Sequence, residues 1–240
     1  MTLERIPLVL ATLYVFARSV TPPNPPPPKE DLIDSKHYLA SKSSVPLRFL
    51  AVSGSILHIL LALIEAAVIW GANYPDSVVG QAAINLFIFK HGSALAVRTT
   101  PINFIGAMGM FFGGLLRLWS FHTLGRHFRF EASIQDDHEL ITWGPYAYVR
   151  HPAYTGLFLS NTGWFLWNYG SGSWMQESGL LKNPVAYVLI SIYGAVVVFG
   201  VLTWIPERTN TEDEALRSRF TRQWDQWAEK VPYLLIPGVY

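Results

Sequence analysis

Seven histidines are the first groups to weigh for chemistry, and they stand at His37, His58, His91, His122, His127, His138 and His151. No two are three or four residues apart, the helical spacing that puts two metal ligands on one face. The chain also has no Cys, which excludes thiolate metal sites, disulfides and a cysteine nucleophile. No metal is expected, and a di-iron oxygenase is disfavoured. Polar chemistry gathers instead between His138 and Gly156, in HELITWGPYAYVRHPAYTG. Gly144-Pro145 marks a turn there, and Pro152 suits the first turn of a helix, where its missing N–H costs nothing. His151 is thereby held at a helix mouth, and His138, Tyr146, His151 and Tyr154 can line one polar cleft. Trp143, Tyr146 and Tyr148 with Arg150 equally suit an interfacial aromatic belt, and composition leaves both readings open.

A second cluster lies further along. Glu207-Arg208 follow an apolar run, and Thr211-x-x-Glu214 reads as a capping box that opens a new helix. Leu216, Phe220, Trp224, Trp227 and Val231 give that helix an apolar stripe. Glu212, Asp213 and Glu214 are either favourable charge in its first turn or part of a ligand site. Gly106, Gly109, Gly113 and Gly114 lie inside an apolar run rather than after a strand, so they predict close helix contact and not a nucleotide loop.

The elements that must carry these residues are membrane helices. Of 240 residues 15% are charged and 50% hydrophobic, with a mean hydropathy of +0.24, against about 25% charged in soluble domains. A net charge of +1 leaves no basic footprint for nucleic acid. Uncharged runs at Thr99–Leu116, Ala153–Gln176 and Asn183–Pro206 are each near the ~20 residues a bilayer needs. Phe49–Gly71 is read as another span, whose Glu65 and His58 must face protein. Ile6–Ala17 is shorter, a signal anchor or a cleaved leader core, and the lack of a small-x-small site favours retention. Six prolines in the seven residues Pro22–Pro28 force an extended connector. Whether Ser77–Val97 crosses decides between five and six spans. The arginine-rich segments 122–150 and 206–240 flank one hairpin and should share the cytoplasmic side. If Ser77–Val97 does not cross, the basic linker 21–48 shares that side. The expected fold is an all-α multi-pass transmembrane bundle with a cytoplasmic catalytic loop and a C-terminal amphipathic helix. It divides into an N-terminal helix (1–21), a Pro-rich linker (22–48), membrane helices (49–116) and a core (117–240).

HELITWGPYAYVRHPAYTG, a hydrophobic hairpin, RTNTEDEAL and FTRQWDQWAEKVPYLLIPGVY, in this order, resemble the isoprenylcysteine carboxyl methyltransferases and related integral-membrane methyltransferases. The resemblance covers about residues 117–240. It implies S-adenosylmethionine as cofactor and methyl transfer to the C-terminal carboxylate of a prenylated cysteine, or to a similar lipophilic carboxylate, at the endoplasmic reticulum membrane. By that resemblance His138, Glu139, Leu140, Ile141, Tyr146, His151, Pro152, Ala153, Tyr154 and Glu212 contact the cofactor, and Arg208 holds the acceptor carboxylate. Glu131 is a further cofactor candidate, standing where some members have Gln. Asp213 replaces a common Glu, and Trp224 and Trp227 replace common tyrosines. Because a carboxylate is already anionic, such a transfer needs alignment and desolvation rather than a general base. The competing expectations are a phospholipid amine methyltransferase, a sterol-reductase-like protein and a non-catalytic membrane scaffold.

Overall fold

The computed structural model describes residues 3–32, 44–131, 133–135 and 137–239. His37, and the linker lysines Lys36 and Lys42, fall outside them. The helices are α1 (Arg5–Val20), α2 (Ser44–Asn73), α3 (Val78–Phe87), α4 (Pro101–Leu124), α5 (Pro152–Tyr169), α6 (Trp174–Glu177), α7 (Pro184–Phe220) and α8 (Arg222–Lys230). The only extended pairing among the described residues is an isolated antiparallel bridge between Leu32 and Ser133. The architecture is all-α. Three of the helices are long and apolar enough to cross a membrane: Val52–Asn73 of α2, α4 with the turn after it (Pro101–His127), and α7.

Glycine spacing sets the centre of the bundle. On α4, a Cβ at Gly106 would lie 2.7 Å from the Gly163 carbonyl oxygen, and one at Gly113 would lie 2.6 Å from the Ser160 nitrogen. From α5, a Cβ at Gly156 would sit 2.5 Å from the Gly113 oxygen. Only glycine lets the two backbones approach this closely. The expected role of the α4 glycines is what the structure shows. Around this pair Val9 and Phe16 of α1, Ala62 of α2, and Met110, Trp164 and Trp167 form one buried cluster.

Arg5, His58 and Glu65, ionisable groups within the apolar helices, face protein, as a low-dielectric setting demands. Arg5 pairs with Glu65, and its Nη1 donates to the Arg98 carbonyl at 2.5 Å. Glu65 also accepts from Trp167 Nε1 at 3.2 Å, and His58 Nδ1 accepts from Trp164 Nε1 at 2.9 Å. These contacts lock α1 into the bundle.

The ends of the bundle answer the question of Ser77–Val97. Ten-residue α3 rises only about 15 Å, half of an apolar core of ~30 Å. It folds back on α2, where a Cβ at Gly71 would meet the Gly80 oxygen at 2.5 Å. The chain then returns beside the α5–α7 connection, with the Phe89 N–H donating to Ser178 O at 2.7 Å and Thr100 Oγ1 to Ser171 O at 2.9 Å. The segment stays at one end of the bundle. Five helices, α1, α2, α4, α5 and α7, therefore run from end to end, and Asn24 meets the turn after α4 at the end that carries the arginine-rich loops.

Two boundaries differ from expectation. α5 stops at Tyr169, and Ser173 starts the short α6 by accepting from the Gln176 N–H. α7 runs unbroken through Pro206 and past Thr211. Thr211 is thus no N-cap; its hydroxyl donates back to the Glu207 carbonyl at 3.0 Å. A proline removes one backbone bond, while the Arg208–Glu212 pair one turn apart supports the following turn. The break comes at Thr221, at φ 46°, before α8. The predicted stripe survives it, because Leu216, Phe220, Trp224, Trp227 and Val231 still converge on Tyr146, Leu140 and Ile141.

Candidate active site

Between α4 and α5 the chain makes a loop whose turn at Gly144 takes φ +63°. Pro145 and Tyr146 are buried in the turn that follows, and Pro152 opens α5 as expected. The exposed N–H groups at this helix start are met from far along the sequence. The Arg150 and His151 N–H groups donate to Tyr233 O and Leu234 O, both at 2.9 Å, and Thr155 Oγ1 donates to Leu235 O at 2.6 Å. The segment after α8 thereby fixes the mouth of α5, which helix termini need from some partner.

Side chains of α7 meet that mouth. His151 Nε2 lies 3.0 Å from Asp213 Oδ1, and its Nδ1 lies 3.5 Å from Glu212 Oε2. The Tyr154 hydroxyl donates to Glu212 Oε1 at 2.8 Å, and Arg208 Nε donates to the same oxygen. Arg150 Nε is 3.3 Å from Asp213 Oδ2. Asp213, which stands where the resembled family commonly has Glu, has a role the spacing did not reveal: with Glu212 it brackets one imidazole.

The charges follow from these contacts. Burial alone would lower His151, but its hydrogen bonds to Asp213 and Glu212 and the charges of these carboxylates outweigh it and raise its pKa above the ordinary 6.5. For His138 burial, then the neighbouring His127, lowers the imidazole to about 4, so it is neutral near pH 7. Burial and then the charge of Glu212 raise the Tyr146 phenol, which stays protonated. A raised histidine pKa contributes stability that is fully present below pH 6.5 and is lost as pH climbs through the folded value. The melting temperature of the detergent-solubilised protein should fall as pH rises from about 6.5. In His151→Asn this part of the profile should be flat, as thermal unfolding across pH will test.

A cavity of about 510 Å³ opens beside the cluster. Its polar arm is lined by Glu131, His138, Glu139, Leu140, Ile141, Tyr146, His151, Ala153, Tyr154 and Glu212, so ten of the anticipated residues share one space. Pro152 is packed beneath it and Arg208 behind it. Arg208, expected to reach a carboxylate, is directed to Glu212 and, through Nη2, to the Phe130 carbonyl at 3.2 Å, with its guanidinium 5.8 Å from the Trp204 ring. The cations that do line the cavity are Arg117, Arg129 and Arg150. His127, which the motif reading passed over, stacks on His138 at 4.8 Å between ring centroids, and both Nδ1 atoms are buried without a partner. The cavity continues as an apolar arm into the bundle between α7 (Val197, Gly200, Trp204) and Phe16, Gly54, Leu157 and Trp164.

Comparison with known proteins agrees with the region that builds this site. A "Protein-S-isoprenylcysteine O-methyltransferase" of Dictyostelium discoideum is 27% identical over 149 residues, 60% of this chain and 53% of that protein. The rat protein of that name is 28% identical over 135 residues, 55% of this chain and 40% of its own length, and the Arabidopsis thaliana "Protein-S-isoprenylcysteine O-methyltransferase B" is 28% identical over 135 residues, 55% and 57%. The chain thus spans about half the length of these curated relatives. No solved structure matches it significantly. Residues 105–218, a stretch that holds both His151 and its two carboxylate partners, match the isoprenylcysteine carboxyl methyltransferase (ICMT) family.

Proposed function

We propose that this protein transfers a methyl group from S-adenosylmethionine to a lipophilic carboxylate, the C-terminal carboxylate of a prenylated cysteine being the acceptor its relatives' names suggest. One observation carries this reading: a single cavity joins a polar arm, edged by Glu131 and Glu212, to an apolar arm inside the bundle. A charged cofactor and a lipid tail need such a pair of adjoining spaces, and each alone would be served by one.

The polar arm suits the cofactor. Glu212 and Glu131 give the wall a negative character toward a sulfonium, and His127 and His138 lie on the same lining. When bound, the cofactor supplies an electrophilic methyl group on positively charged sulfur. The chain's own work is then placement and drying. His151 and Tyr154 hold Glu212 in position, and Arg208 holds it from behind. The apolar arm would strip water from an acceptor carboxylate drawn in by its tail, and opposite charges that partly cancel on reaction are favoured in a dry cleft. No side chain need take a proton. The basic loops at the site end favour a cytoplasmic active site, and the prenylated acceptor implies the endoplasmic reticulum membrane.

Incubation of the purified protein in lipid nanodiscs with methyl-labelled S-adenosylmethionine and either S-farnesyl cysteine or phosphatidylethanolamine tests the proposal. The expected product is a base-labile methyl ester on the prenylated cysteine, with no base-stable N-methyl lipid. N-methyl product alone would assign the amine chemistry, and no transfer despite cofactor binding would remove this acceptor class.

A further inference from the structure

The proline-rich connector after α1 is tied to the wall of the polar arm. Asn24, the one residue in Pro22–Pro28 that is not proline, donates from Nδ2 to Gly125 O at 2.9 Å and to Phe128 O at 2.8 Å. These two carbonyls bound the tight turn that ends α4. Further on, the Ile134 N–H donates to Asp31 O at 2.9 Å, and Leu32 pairs with Ser133. At and between these two fastenings lie His127, Arg129, Phe130, Glu131 and Ser133, all on the cavity lining. The wall also touches the charged cluster, since the Phe130 carbonyl accepts from Arg208. At the base, Arg117 Nε donates to Ser19 O at 2.6 Å and its Nη1 to Ala153 O at 3.1 Å, joining the end of α1 to the mouth of α5.

None of residues 19–32 falls in the stretch 105–218 that matches the family. We infer that segment 21–32 is a strap that completes the cofactor arm, with Asn24 as a positioning residue for cofactor binding. The inference rests on the proposed function. Physically, a loop bounded by a glycine turn has many conformations, and one side-chain amide bonded to two of its carbonyls, set in a proline run that is stiff before binding, selects one of them. Asparagine fits because a single amide nitrogen has two N–H groups and both are used.

The test is calorimetric titration of S-adenosylmethionine into the full-length protein, with steady-state kinetics on the prenylated acceptor. If the wild type does not bind the cofactor, the proposed function fails and the strap has no site to serve. Where the wild type binds, Asn24→Ala should weaken cofactor affinity about tenfold, the scale of two neutral hydrogen bonds. The acceptor KM and the kcat at saturating cofactor should stay within about twofold on the same scale. Asn73→Ala, whose amide donates to Ile69 O at 2.7 Å within α2 at the far end of the bundle, should bind as wild type. Because the chain has no cysteine of its own, Leu32→Cys with Ser133→Cys adds a single bridge across an antiparallel pair. In the Asn24→Ala background the oxidised bridge should restore affinity and the reduced form should not. Wild-type affinity in Asn24→Ala, or a deficit that the oxidised bridge leaves unchanged, overturns the inference.

Discussion

Glu212→Gln is expected to weaken S-adenosylmethionine binding by roughly ten- to a hundredfold, and binding of the demethylated product by distinctly less. Glu212 accepts from Tyr154 and Arg208 and faces His151 while bordering the cavity. Gln retains its size and one oxygen acceptor but loses the charge that a sulfonium would meet. Charge-assisted contacts contribute roughly 1.5–3 kcal/mol, and about 1.4 kcal/mol is one decade of affinity. The demethylated product is a neutral sulfide, so the difference between the two titrations isolates the charge. Glu212→Ala is the poorer probe, since it strands a buried Arg208 without its carboxylate, a change that costs roughly 3–5 kcal/mol of stability. Equal loss for both ligands would mean that Glu212 acts only as a brace; no loss for either would place the cofactor elsewhere.

Arg208→Lys should lower kcat/KM for methyl transfer by about one to three decades, with the deficit appearing in cofactor affinity. The guanidinium is divided among Glu212, the Phe130 carbonyl and the Trp204 ring. A planar fork satisfies several directions at once, and a lysine ammonium, a compact point charge, does not reproduce them. Because Arg208 lies behind Glu212, its loss should loosen the cofactor arm first. If it instead reaches the acceptor carboxylate directly during turnover, the deficit will lie in the acceptor KM while the cofactor titration stays normal. Unchanged kinetics in the lysine variant, with correct insertion verified, would reduce Arg208 to an interfacial cation.

Much of this site was readable from local chemistry. Pro152 at a first helical turn set His151 at a mouth, and the spacing of Gly106 and Gly113 announced a close partner helix. Nine of the ten anticipated residues in the cavity share it because they lie on the α4–α5 loop and the following helix start, and Glu212 joins them from α7. What stayed hidden depends on long-range geometry. The partnership of Arg208 with Glu212 follows from α7 continuing past Pro206, and a proline together with a Thr-x-x-Glu pattern argued locally for a break. Gly54, Gly200 and Trp204 line the apolar arm, yet inside an apolar run nothing distinguishes a residue facing lipid from one facing a groove. Arg5 and Glu65 are sixty positions apart, so the demand that Glu65 face protein was visible and its partner was not.

The carbonyls of Tyr233, Leu234 and Leu235, which hold the start of α5, lie after α1 to α8 in the chain and are synthesised later than these helices. During translation the helices can therefore enter the bilayer and pack while the entrance to the cofactor arm is still unfastened. The mouth of α5 is thus fastened late, only once residues 233–235 have left the ribosome.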